Sequence, residues 1–229
     1  MAKQTVSARV MLACGAVAGP MYVTVTLIEA LTRDGFDLRI HRFSWLTTGE
    51  LGWLHQSAMV LVGVLSVLLA VGVRQVVRTG RAAVWGPRLL ALFGVAYIIG
   101  GLFRADPVVG FPPGTTAEMV HTTWQGVVQN ASRGVSSLLL VTASAVFAGW
   151  FAAEGRRGWA LFYATAIPGV FLALTAAQKV TIGGNPVALA FLMTPWIWVT
   201  ALAAHLYRRE AKRSHLQAGQ RAGTPLVAG

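Results

Sequence analysis

The sequence predicts an all-α fold: a polytopic membrane bundle of six transmembrane helices with both termini on the cytoplasmic side. Three observations predict it. Of 229 residues, 55% are apolar and only 12% charged, about half the charged fraction of an ordinary soluble domain. Six apolar runs reach the roughly 20 residues that a helix needs to cross a bilayer core. The basic residues then gather at one set of loop ends. Mean hydropathy is +0.60, which also excludes disorder, collagen and coiled coil. Cys14 is the only cysteine, so no intrachain disulfide framework is available.

The first run is Val10–Leu31. Met11-Leu-Ala-Cys14 faintly resembles a lipoprotein cleavage site, but too few apolar residues precede Cys14, so an uncleaved helix is expected. Gly15 and Gly19 form a small-xxx-small pair suited to close helix contact. The other runs are Leu51–Val76, Trp85–Phe103, Gly134–Ala153, Trp159–Ala177 and Pro186–Tyr207, separated by charged or Gly/Pro turns such as Arg78-Thr-Gly-Arg81 and Gly183-Gly-Asn-Pro186. Pro20, Pro168 and Pro195 are expected to kink their helices. Residues 1–210 form the membrane domain in this reading, and 211–229 a disordered basic tail.

Thirteen of the 19 Lys and Arg residues, from Lys3 and Arg9 to Arg213 and Arg221, fall at one set of ends. Short basic loops stay in the cytoplasm, so both termini are expected inside and the protein in the plasma membrane. The net charge of +11 therefore reads as a topology signal with the lipid bilayer as partner, and nucleic acid is not expected. Oligomeric state is not legible.

Polar residues concentrate on the outward side. Glu29 lies near the end of the first run, His55 and Gln56 open the second, and Arg104 and Asp106 close the third. Thr115-Thr-Ala-Glu118 has the pattern of a capping box opening the fourth element. Beyond it, His121, Gln125, Gln129 and Arg133 recur every four residues, which predicts a polar stripe on a helix. Ionisable groups at membrane depth are costly and normally pair or face a water-filled cavity. Each also has a plainer reading. Glu29 can pair with Arg33, Asp106 before Pro107 can form a turn, and His55 can be an interfacial histidine. Trp53 and Trp124 match an outer interfacial belt, whereas Trp196 and Trp198 fall mid-span beside Pro195 and read equally as lipid-facing or as pocket wall.

Several short segments occur in order through about residue 134: Arg33-Asp-Gly-Phe-Asp37, Phe43-Ser-Trp-Leu46, Gly49-Glu-Leu-Gly-Trp53, Gly101-Leu-Phe-Arg-Ala-Asp-Pro107 and His121. In these the chain resembles the membrane family "domain of unknown function 998". The resemblance implies a bacterial six-helix fold and supplies no reaction. His121 is followed by Thr-Thr-Trp where the resemblance leads one to expect glycine.

Three functions compete. The first is a cofactor-independent intramembrane cyclase or isomerase acting on a prenyl or polyketide-like lipophile. Asp106, His121, Glu118 and Glu29 would be its acid–base residues, and His55, Gln56, Arg104, Trp124, Gln125, Gln129, Arg133 and Trp196 would bind substrate. The second is a non-catalytic protein that binds or transports lipid or a small molecule. The third is a cytochrome with His55 and His121 as axial haem ligands. No cofactor and no metal ligand set are expected under the first reading, which ranks highest.

Overall fold

The structure, a computed structural model, describes residues 2–165 and 186–222. Its described residues form six helices and no strand. They are α1 (Ala2–Thr32), α2 (Gly52–Val76), α3 (Ala82–Leu102), α4 (Trp124–Ala153), α5 (residues 157–165) and α6 (Pro186–Ala222). Two single-turn 3-10 helices, Phe43–Thr47 and Ala117–Met119, interrupt the long loops. Within α1 to α4, four segments are long and apolar enough to cross a membrane. Most of the expected fifth span, together with Pro168, Lys179 and the loop 178–185, lies outside the described residues.

Apolar composition makes these helices membrane-compatible, but small residues decide how they pack. Lipid offers no hydrophobic drive for one helix to join another, so close van der Waals fit must supply it. The α2–α3 pair shows this at Gly63 and Gly94. A Cβ at Gly63 would lie 2.6 Å from the Gly94 carbonyl oxygen, and one at Gly94 would lie 2.5 Å from that of Gly63. The expected contact at Gly15 and Gly19 is present but divided between two neighbours: Gly15 faces Leu69 of α2 and Gly19 faces Trp196 and Thr200 of α6. Thus α1 packs between α2 and α6, while α3 joins α2 to α4. Pro20 and Pro195 sit inside α1 and α6, each of which continues through its proline.

At one end of the bundle, α4, α5 and α6 meet through aromatic rings. Phe147 lies 5.8 Å from Trp198, and Tyr163 lies 5.0 Å from Trp198, between ring centroids. Glu154 binds Arg209 at 2.7 Å there, and Arg156 donates to His205. Helix α6 continues to Ala222, so residues 211–222, expected as disordered tail, are helical. The run Glu210-Ala-Lys-Arg213 consists of good helix formers and extends a helix already nucleated upstream. Residues 223–229 lie outside the described residues.

The opposite end carries a cap made by loops 33–51 and 103–123. Ala30, Leu46 and Phe111 form a small buried core, with Phe36, Phe43 and Trp45 packed against it. Arg33 turns away from Glu29 and donates to the backbone carbonyls of Leu46 and Thr48, its guanidinium over the Phe111 ring. The Ala105 amide donates to Thr47 Oγ1 at 2.9 Å, stitching the second loop to the first.

Helix α4 begins later than its sequence pattern predicts. The Thr115 hydroxyl donates to the Pro112 carbonyl at 2.7 Å and Thr116 makes no side-chain cap, so no capping box opens a helix here, and Ala117–Met119 is a single 3-10 turn. The cap is Thr123, whose hydroxyl accepts from the Gly126 amide at 3.0 Å. Asp106 completes it: one carboxylate oxygen accepts from the Thr123 amide at 3.0 Å and from the Thr123 hydroxyl at 2.6 Å. A negative group at this position also opposes the positive end of the helix dipole.

Candidate functional site

Beneath the cap lies a cavity between α1, α2, α3, α4 and α6, roofed by the 43–47 turn. Its volume is about 80 Å³ counted at the centres of water molecules, against about 10–15 Å³ for a single water. The helices deliver its lining by simple periodicity. On α4, Gln129, Ser132, Arg133, Ser136, Ser137 and Leu140 recur at three- and four-residue spacing and share one face.

One wall carries a chain of titratable groups. Glu29 of α1, buried, sits 2.7 Å from His55 Nδ1 of α2, and the ring is itself fully buried. Tyr22, two turns before Glu29 on α1, places its hydroxyl 3.3 Å from His55 Nε2. With Nδ1–H donating to the carboxylate, Nε2 is the acceptor, and it accepts from the Tyr22 hydroxyl. The second carboxylate oxygen of Glu29 is buried without a hydrogen-bond partner among the described residues.

The facing wall is cationic and amide-bearing. Arg133 donates to Ser44 Oγ of the cap at 2.6 Å. Gln129, one turn earlier, is fully buried, and neither amide atom has a hydrogen-bond partner among the described residues. Such a group normally costs on the order of 1–3 kcal/mol. Between these walls stand four rings: Tyr22, Phe93, Tyr97 and Trp196. Trp196 lies 5.1 Å from both Tyr22 and Tyr97 between centroids, and Phe93 lies 5.0 Å from Tyr97. Trp196 is therefore pocket wall, and Trp198 is buried in the aromatic cluster at the other end.

The candidate residues read from the sequence thus divide. His55, Gln129, Arg133 and Trp196 line the cavity, and Glu29 stands directly behind His55. Gln56 instead donates to the Gly101 carbonyl and ties α2 to α3. Asp106 caps α4, Arg104 is exposed, and Glu118, His121, Trp124 and Gln125 are exposed outside the cavity. The four-residue stripe fails for two reasons. His121 precedes the helix, and each four-residue step overshoots a full turn by about 40°, so four such positions spiral around the axis. The residues that sequence reasoning missed are Tyr22, Tyr97, Phe93, Ser44, Ser132 and Ser136. A signal existed for the serines, which continue the Gln129–Arg133 face at helical spacing.

His41, at the cap, is a separate buried histidine. Its Nδ1 accepts from the Asp37 amide at 2.9 Å, and burial holds its pKa below the ordinary histidine range despite nearby Asp37.

Four membrane-length helices, with a part-open and mostly apolar cavity among the helices of the bundle, define a multi-pass helical membrane protein. Within that class the assignment is specific: residues 16–205 match the model for "Protein of unknown function (DUF998)", and the chain belongs to that family. No curated protein and no solved structure matches the chain.

Proposed function

We propose that the cavity is an intramembrane acid–base site that isomerises or cyclises a lipophilic substrate, with Glu29, His55 and Tyr22 as its working groups. The carrying observation is the Glu29–His55–Tyr22 chain, buried at 2.7 and 3.3 Å and ending at an apolar cavity. Glu29 orients the imidazole through Nδ1, leaving Nε2 as the base. The 3.3 Å contact to Tyr22 is long for an O–H donor, so a substrate oxygen competes for that hydroxyl. Nε2 takes a proton from a substrate carbon, the Tyr22 hydroxyl donates to the oxygen where negative charge develops, and the imidazolium returns the proton at a second carbon. No net oxidation occurs and no cofactor is consumed. A positioned base of this kind contributes about 10²–10⁴-fold.

The test is isotopic. Membranes containing the protein are incubated in deuterium oxide with the total lipid extract of the producing cells, and the lipids are weighed by mass spectrometry. A species should gain one deuterium with the unaltered protein, and the rate should fall about 10²-fold or more in His55→Gln. Equal exchange in a folded His55→Gln protein overturns the reading.

A non-catalytic lipophile-binding protein is the second reading, favoured by the unpartnered Gln129 amide. It predicts binding without exchange. The two-histidine haem arrangement is not proposed, because both His55 nitrogens are engaged and His121 is an exposed loop residue.

A further inference from the structure

We propose that the cavity takes a single-chain lipophile ending in an anionic oxygen headgroup, a carboxylate or phosphate monoester, held by Arg133 and Gln129. The assignment rests on the reading of this cavity as a site for a lipophilic molecule, and adds the headgroup and its receptor.

Charge is the first argument. The chain has eight acidic residues, all among the described residues, and none lies within 4.0 Å of Arg133. The one carboxylate near the cavity, Glu29, is taken up by His55 on the opposite wall. A guanidinium has five N–H donors, and Ser44 accepts from one. Arg133 is half-buried, and a cation held partly out of water without a counter-ion is disfavoured, so an anion entering the cavity supplies that counter-ion. The guanidinium fork matches carboxylate and phosphate oxygens bidentately.

Gln129 is the second, independent argument. Its side chain is fully buried and lines the cavity, yet both amide atoms lack partners among the described residues. It stands one helical turn from Arg133, so its NH₂ and the guanidinium lie on the same face of α4. Together they offer two kinds of donor to one group of oxygens. A cationic headgroup would meet Arg133 as a like charge. A neutral hydroxyl would leave most of the donors empty.

The rest of the lining specifies the tail. Phe43, Met59, Phe93, Leu140, Leu192 and Trp196 are apolar or aromatic. About 80 Å³ of space counted at the centres of water molecules, on the order of six waters, holds a headgroup and the first carbons of one chain, and in the proposed complex the rest of a single tail lies outside it.

The full-length protein, purified in non-ionic detergent, is assayed by equilibrium binding with oleate, oleyl alcohol, oleylamine, farnesyl phosphate and dioleoylphosphatidic acid. Oleate or farnesyl phosphate should bind at least about tenfold tighter than oleyl alcohol, as expected for a charge-assisted hydrogen-bonded pair. Whichever of the two binds tighter identifies the headgroup. Arg133→Gln should abolish the preference, Arg133→Lys should keep part of it, and Gln129→Leu should lower it several-fold, in proteins whose thermal unfolding is cooperative. Equal binding of oleyl alcohol or oleylamine by the unaltered protein overturns the proposal without any variant. A preference that survives Arg133→Gln overturns it too, as does phosphatidic acid binding as tightly as the single-chain anions. Anion preference in a protein that shows no deuterium exchange leaves this headgroup assignment standing and overturns the acid–base reading. Exchange without anion preference does the reverse.

Discussion

Asp106 illustrates how one side chain serves a different purpose from the one its surroundings suggest. An aspartate closing a membrane helix beside an arginine reads as a functional acid, yet its carboxylate holds the Thr123 amide and hydroxyl at the start of α4. Asp106→Ala should therefore cost about 0.5–2 kcal/mol of stability, the range for a lost helix cap, measurable by thermal or denaturant unfolding in detergent. Thr123→Ala should be non-additive with it, because both changes remove one network. Isotope exchange per folded molecule should persist in the double variant. His55 and Glu29 were legible as unusual because ionisable residues are rare in apolar runs. Their mutual contact was not, since it joins positions 26 residues apart and depends on how α1 meets α2. Tyr22 and Tyr97 were illegible for a different reason: an aromatic residue in a membrane helix looks the same whether it faces lipid or a cavity.

Elements carry two further expectations. Helices α2 and α3 approach so closely at Gly63 and Gly94 that each would press an added Cβ against the partner's carbonyl oxygen. Gly63→Val should destabilise the protein by about 1–3 kcal/mol or more, as overpacking does, read as a lower unfolding midpoint in detergent. The cap should respond to acid through His41. Its folded pKa lies below the unfolded value of about 6.5, so the stability it contributes is fully present above that value. It is lost as pH falls from there toward the folded pKa, because the unfolded loop binds the proton first. Protection factors of cap amides, which correct for the slower intrinsic exchange in acid, should fall between roughly pH 7 and 5, and His41→Phe should flatten that response. The pattern of spans was readable because four helices obey membrane length and hydropathy. The start of α4 was not, because Thr115-x-x-Glu118 imitates a cap whereas the true one borrows a carboxylate 17 residues upstream.

For the whole molecule, the long-loop cap and the basic end are structurally opposite in character, and the distribution of Lys and Arg predicts that the cap faces outward. With Cys14 replaced by serine, single cysteines introduced at Arg42 and at Arg78, both exposed, should react with a membrane-impermeant maleimide from opposite sides: Arg42→Cys in intact cells, Arg78→Cys only after lysis. Labelling of both from one side would contradict this orientation. The bond from Arg133 to Ser44 joins the helical body to that cap through a single hydroxyl. A guest that draws the guanidinium toward itself loosens this latch, and a loosened latch leaves the guanidinium freer for a guest. By linkage the two effects must be equal in free energy, so filling the chamber and unfastening its roof are one equilibrium seen from either side.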